Sequence, residues 1–388
     1  MNGSPALPWV LLAAFAALSG SILPAAETSG APPAAAGKLT VYVGTYTGGK
    51  SEGIYRFLFD PATGSASAAA LAAKTDNPSF LALHPGGRFL YAVNEAAGAM
   101  SAFRFANAEG DLEFLNREST GGAAPCHVAV DRAGKHAFAA NYTSGSIALL
   151  PIGADGRLGA RTALIAHEGS GADRSRQKGP HAHCVDLDAA NKFLLVADLG
   201  IDRIVVYRFD AAAGTLAPHG RAALAPGAGP RHLAFAPDER RVYAINELDL
   251  TVTRFDYTPA TGALQAKETL STLPVPRQAG FSGGEIAMHP SGRFLYASNR
   301  GHDSIAAFAV DGETGALRVI GHTPAGGRTP RHFALDPGGD WLLCAHQDSD
   351  TIAVFRVDRA TGRLAPADGV ITVPAPVCIL FRSRLPAP

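Results

Sequence analysis

One pattern of eight residues returns seven times along the chain: "LTVYVGTY" (39–46), "RFLYAVNE" (88–95), "KHAFAANY" (135–142), "KFLLVADL" (192–199), "RRVYAINE" (240–247), "RFLYASNR" (293–300) and "DWLLCAHQ" (340–347). The copies recur about every 50 residues, a period that marks arrays of supersecondary units rather than one irregular core. A second apolar run follows each copy, as in "GIYRFLFD", "RIVVYRFD" and "TIAVFRVD". Inside the runs apolar and polar residues alternate with period two, which signals half-buried strands and excludes a helical solenoid. Turns such as "ATGAL", "ATGRL" and "ADGRL" supply the Gly and Asp that tight hairpins require. A further short strand precedes each of the last six copies, as in "NPSFLALHPGG" and "GPRHLAFAPDE", giving four antiparallel strands per unit. Four-stranded units of this length are blades of a β-propeller, so an all-β, seven-bladed fold is expected over residues 38–388.

The first unit begins directly at residue 39 without an opening strand, whereas the chain ends on "VPAPVCILFRSR", an opening strand with no hairpin behind it. Strand 376–383 is therefore expected to pair with the N-terminal unit and close the ring.

Composition narrows what such a ring binds. Lys plus Arg and Asp plus Glu both number 34, which gives no net field to attract nucleic acid or an anionic membrane and favours a small-molecule partner. No segment calls for a cofactor, and no CxxC or HxxxH spacing suggests a zinc site. Cys126, Cys184, Cys344 and Cys378 read as small buried hydrophobes, with one or two disulfides as the alternative. Ahead of the repeats, "LPWVLLAAFAALSGSIL" followed by the small residues around Ala26 reads as a signal peptide over residues 1–26 and a flexible lead-in over 27–37, implying a secreted or periplasmic protein. "MNGSP" lacks the usual basic residues, so an uncleaved anchor is the alternative, although the apolar run is shorter than the ~20 residues of a span. With the leader removed, no membrane contact is expected.

Antiparallel pairing brings the start of each first strand and the end of each second strand to one rim of the channel. Aligned on Pro or its equivalent, the strand starts carry Ser79-Phe80, Cys126-His127, His183-Cys184, Arg231-His232, Gly284-Glu285, Arg331-His332 and Val377-Cys378. The strand ends carry Tyr46, Glu95, Tyr142, Leu199, Glu247, Arg300 and Gln347, each after Thr45, Asn94, Asn141, Asp198, Asn246, Asn299 or His346. Blade interiors are apolar, yet this rim collects His, Arg, Glu and Asn. The asparagines read as turn formers, whereas charges converging on a concave mouth need partners or a ligand.

"YVGTYT", "GIYRF", "NPSFLALHPGGRFLYAVNE", "GPHAHCVDLD", "GPRHLAFAP", "YAINE" and "HPSGRFLYASNRGHDSIAAF" together resemble the seven-bladed propeller lactonases, among them propeller-type 6-phosphogluconolactonases and fungal 3-carboxymuconate cyclases. The likeness runs over about residues 39–385 and implies a lactone hydrolase acting on an anionic, sugar-type lactone. By motif the site of the cyclase branch corresponds to His183 in "PHAHCVD", Arg231 in "GPRH", Glu247 in "YAINE" and Arg300 in "SNRGHDS". No GxSxG elbow is present, which favours non-covalent acid-base catalysis in which His183 and Glu247 share the roles of base and acid, in either order. Arg231 and Arg300 are expected to bind the substrate anion and the developing charge, with Glu95, His232, Arg331 and His332 as further substrate contacts. The other readings are a lactonising cyclase, a calcium-dependent hydrolase using Glu95, Glu247, Asp198 and the rim asparagines, and a ligand-binding propeller without activity. As residues of a wet channel mouth, the charged set is expected to matter little to stability.

Overall fold

The computed structural model describes Met1 and residues 37–107 and 110–382; the expected leader falls outside these residues from position 2 onward, as does the lead-in up to residue 36. The described residues form seven antiparallel sheets of four strands each. Blade 1 contains Leu39–Thr45, Gly53–Phe59 and Ala70–Lys74, and its innermost strand is Pro376–Arg382 from the far end of the chain. That strand runs antiparallel to Leu39–Thr45, with Val41 opposite Phe381 and Gly44 opposite Cys378, so the two ends close the ring as the sequence implies. Blades 2 to 7 follow in order, over 81–119, 125–166, 182–223, 230–271, 282–324 and 330–372.

The apolar side chains are divided among seven buried clusters, and each cluster fills the seam between two neighbouring blades. Cys126, Cys184, Cys344 and Cys378 are all free and buried, as small hydrophobes.

The seams explain the glycine of the outer turns. Gly64, Gly110, Gly156, Gly214, Gly262, Gly315 and Gly362, one per blade, all have left-handed φ between 62° and 91°. A β-carbon on any of them would also come within 2.2–2.7 Å of a side chain from the preceding blade, such as Trp341 on Gly64 or Phe89 on Gly156. Glycine is thus required twice over, by backbone conformation and by the close approach of the neighbour. Several seams add a hydrogen bond: Tyr91 Oη donates to the Gly156 carbonyl (3.0 Å), Tyr243 Oη to Gly315 (2.8 Å) and Tyr296 Oη to Gly362 (2.8 Å). At the closing seam the indole of Trp341 does this instead, donating to the Pro61 carbonyl (2.8 Å).

Candidate active site

A recurrent β-bulge builds the site. In the first strands of blades 3, 4, 5 and 7 the register skips one residue, and the skipped residue is Cys126, His183, Arg231 or Arg331. A bulge re-aims a side chain that regular pleating would send elsewhere. Three of these four, with Arg231 just behind them, reach a cavity of about 300 Å³ at one rim of the channel; its lining also includes Glu95, Tyr142, Arg176, Glu247 and Arg300.

Glu247 is the hub. Its Oε1 accepts from Arg176 Nη2 at 2.6 Å, and its Oε2 lies 2.8 Å from Arg300 Nη2 and 3.2 Å from Arg231 Nε. The Arg231 Nε contact lacks the alignment of a hydrogen bond. Burial alone would raise the Glu247 carboxyl, but Arg300, Arg231 and Arg176 outweigh it and hold the group down at about 2. Two of these guanidinia are fixed by backbone as well. Arg231 Nη1 donates to the Gly284 carbonyl (2.7 Å), and Arg300 donates to the Gly283 carbonyl through Nε (3.1 Å) and Nη2 (2.6 Å). On the opposite wall Arg331 stacks over Tyr46 and donates to its hydroxyl (2.8 Å), which in turn donates to Glu95 Oε2 (3.0 Å).

His183 is 5% exposed, and its Nδ1 is buried without a hydrogen-bond partner among the described residues. The ring packs edge-on against Tyr142 and His232. Burial, followed by the nearby Arg231, keeps its pKa well below the ordinary histidine value, so the imidazole is neutral at neutral pH.

Each residue next to a bulge faces a different place. His232 Nδ1 pairs with Glu285 (2.9 Å), whose Oε2 also lies 3.3 Å from His332 Nε2, while Phe80 packs against His127, His232 and His332. These imidazoles and Glu285 form a second buried cluster that contributes no residue to the lining of the cavity. Arg231 joins the two groups, its Nη1 lying 3.3 Å from both ring nitrogens of His232, which places it over the ring face.

His183, Glu247, Arg231, Arg300, Glu95 and Arg331 are therefore brought together at the rim, whereas His232 and His332 are set apart from them. Sequence reasoning missed Arg176, Tyr142 and Tyr46. Tyr46 and Tyr142 stood at strand ends beside the chosen residues, but Arg176 lies in a Gly/Ser-rich connection where no periodicity points to it. The expectation of a wet mouth also needs correcting, because Arg231 and Glu247 are only 3% and 5% exposed and belong to the buried framework. The oxygen set weighed for calcium is dispersed. Asp198 accepts from the His181 and Gly200 amides and pairs with His167 (2.6 Å), Glu95 is engaged by Tyr46, and Glu247 is enclosed by arginine.

Residues 40–381 match the family model described as "Lactonase, 7-bladed beta-propeller". A 6-phosphogluconolactonase of Bacillus subtilis is 36% identical over 342 residues, covering 88% of this chain and 97% of its own. Among solved structures, a putative 6-phosphogluconolactonase of Bacteroides fragilis superposes with a TM-score of 0.83 at 40% identity, covering 89% of this chain and 98% of its own. A Pseudomonas aeruginosa periplasmic gluconolactonase superposes with a TM-score of 0.84 at 32% identity, covering 89% and 99%.

Proposed function

The chain belongs to the seven-bladed β-propeller lactonase family, and from that premise we propose that it hydrolyses an anionic sugar-type lactone, of the 6-phosphogluconolactone kind, in the rim cavity. The observation that carries this reading is the pairing of a neutral, buried imidazole with a cavity whose cations outnumber its carboxylates. Arg176, Arg300 and Arg331 line it against Glu95 and Glu247, with Arg231 behind them.

Lactone hydrolysis adds water to a carbonyl, so a base must take a proton, an oxyanion must be stabilised and the ring oxygen must be protonated as it leaves. Glu247 is a poor base, since a carboxylate held at about 2 with both oxygens engaged has little proton affinity. His183 is the base in this reading: it lines the cavity, and of its two ring nitrogens only Nδ1 is fully buried, so Nε2 takes the water proton and the resulting imidazolium returns that proton to the departing ring oxygen. Arg300, positioned by Glu247, faces the developing negative charge, and Arg231 adds its positive charge from behind. The product acid then ionises, and the released proton passes to solvent.

Purified protein should hydrolyse one or more members of a panel of sugar, phosphosugar and muconate-type lactones, and His183→Ala should lower kcat by roughly 10²–10⁴-fold. No turnover across the panel refutes the reading. Because the His183 pKa is depressed, the acid limb of kcat/KM should lie below 6.5, the usual histidine value. Stability follows the same sign. The folded state binds fewer protons than the unfolded one at His127, His183, His232 and His332, so below 6.5 protonation of the unfolded chain should lower the melting temperature. Above 6.5 these groups should leave the melting temperature constant.

A secreted or periplasmic location is part of the proposal, supported by the apolar leader over residues 1–26 and by the periplasmic gluconolactonase among the structural relatives. Protein recovered from the periplasm or medium should begin near Glu27; Met1 retained on membrane-bound protein contradicts it.

A further inference from the structure

Arg176 is the half-exposed guanidinium of the cavity. Arg231 and Arg300 are held by backbone carbonyls at the floor, and Arg331 by Tyr46, while Arg176 uses Nη2 for both Glu247 Oε1 (2.6 Å) and Tyr142 Oη (3.2 Å). Among the described residues its Nε and Nη1 make no hydrogen bond, and its side chain is 42% exposed against 3% for Arg231 and 13% for Arg300. It approaches Glu247 from the other side, since it holds Oε1 while the two floor arginines hold Oε2.

The connection that carries it is built to keep it there. Blades 3 and 4 are joined by residues 167–181, whereas the joins before blades 3, 5 and 7 span only 120–124, 224–229 and 325–329. Gln177, 1% exposed, pins this segment: its Nε2 donates to the Leu199 carbonyl and to Asp202 Oδ1 (both 2.7 Å), and its Oε1 accepts from the Asp173 amide (2.9 Å). Asp202 is itself buried and accepts from the Gly227 and Gly229 amides. A few residues on, His181 stacks on Tyr142 and bonds its carbonyl (2.9 Å). A backbone anchored on both sides of a half-exposed guanidinium presents an anion receptor at little entropic cost.

We propose that Arg176 determines substrate specificity by taking a second anionic group, a phosphate or carboxylate borne by the sugar chain away from the lactone carbonyl. This rests on the lactonase reading for the reaction itself, but the receptor chemistry can be tested without turnover. Its free Nε–H and Nη1–H groups can each donate to an oxygen of such a group, and a substrate lying across Glu247 would have its carbonyl toward Arg300 and its tail toward the 167–181 connection.

Calorimetry with three stable acids separates the possibilities: 6-phosphogluconate has a remote phosphate, glucarate a remote carboxylate, and gluconate neither. The wild-type protein should bind 6-phosphogluconate or glucarate more tightly than gluconate, and whichever is favoured identifies the group. In Arg176→Gln that preference should fall by roughly 10- to 100-fold, the factor carried by a hydrogen bond to a charged group. Arg176→Lys should keep part of it. An unchanged preference in Arg176→Gln, equal weakening of all three acids, or no wild-type preference overturns the assignment. Lactone turnover measured on the same samples reports separately on the catalytic reading, so an inactive protein that keeps an Arg176-dependent preference would refute only the latter.

Discussion

Glu247→Gln is expected to lower lactone turnover by about 10²-fold or more and to destabilise the fold by about 3–5 kcal/mol, the usual consequence of removing one member of a buried ion-pair network. The two effects have one origin. Arg231 and Arg300 are almost fully buried, and Glu247 is the carboxylate that neutralises them, at 3.2 and 2.8 Å. An amide of the same shape leaves two buried cations with no counter-charge, facing only neutral acceptors: its own oxygen and the Gly283 and Gly284 carbonyls. Burial and the neighbouring arginines already push the Arg231 pKa down to about 10 even with its partner present. Thermal unfolding and single-turnover kinetics on Glu247→Gln and Glu247→Asp check this. The aspartate should recover much of the stability by restoring the charge, but less of the rate, because a shorter side chain cannot hold both arginines in place. A glutamine variant with wild-type melting temperature would mean that the arginines repack without cost, and one with wild-type rate would remove Glu247 from the chemistry.

Ending the chain after Pro374 should be more damaging still. The deletion removes Pro376–Arg382, the innermost strand of blade 1, and leaves Leu39–Thr45 with an unpaired inner edge at the channel. It also removes Ile379 and Phe381 from the seam between blades 7 and 1 and Cys378 and Leu380 from the seam between blades 1 and 2, opening two of the seven apolar layers. Exposed edges and opened cores lead to association between chains. The truncated protein should therefore appear in the insoluble fraction, and adding the strand back as a separate peptide should recover soluble protein only in part. A soluble, monomeric truncation with unchanged melting temperature would contradict the account of ring closure.

The fold was legible because each blade repeats a period-two pattern bounded by turns that only glycine or a capping side chain satisfies, and the unmatched strands at the chain ends could serve no purpose except pairing with each other. The charges of the site were legible for a related reason: His183, Arg231, Glu247 and Arg300 interrupt apolar runs at their ends. What alternation could not give was direction. Arg231 and His232 are adjacent and look equivalent, and only the skipped pairing between Pro230 and His232 sends one to Glu247 and the other to Glu285. A bulge is a property of two paired strands, so neither strand read alone reveals it. Arg176 was hidden for a different reason, since its position depends on the contact of Gln177 with Asp202, 25 residues on, where the connection folds back onto blade 4.

The turn glycines and the side chains seated on them also distinguish the joints of the ring from one another. Each blade carries a key that fits the glycine of the next blade along: a phenylalanine at three seams (Phe89, Phe193 and Phe294), and Tyr42, His136, Arg241 or Trp341 at the other four. The last joint is distinct from all others, because only there does an indole fill the lock. A ring of near-identical parts thus bears a mark at the place where it closes: the blade bearing Trp341 is cut to fit Gly64 and Pro61 of the blade on the far side of the joint.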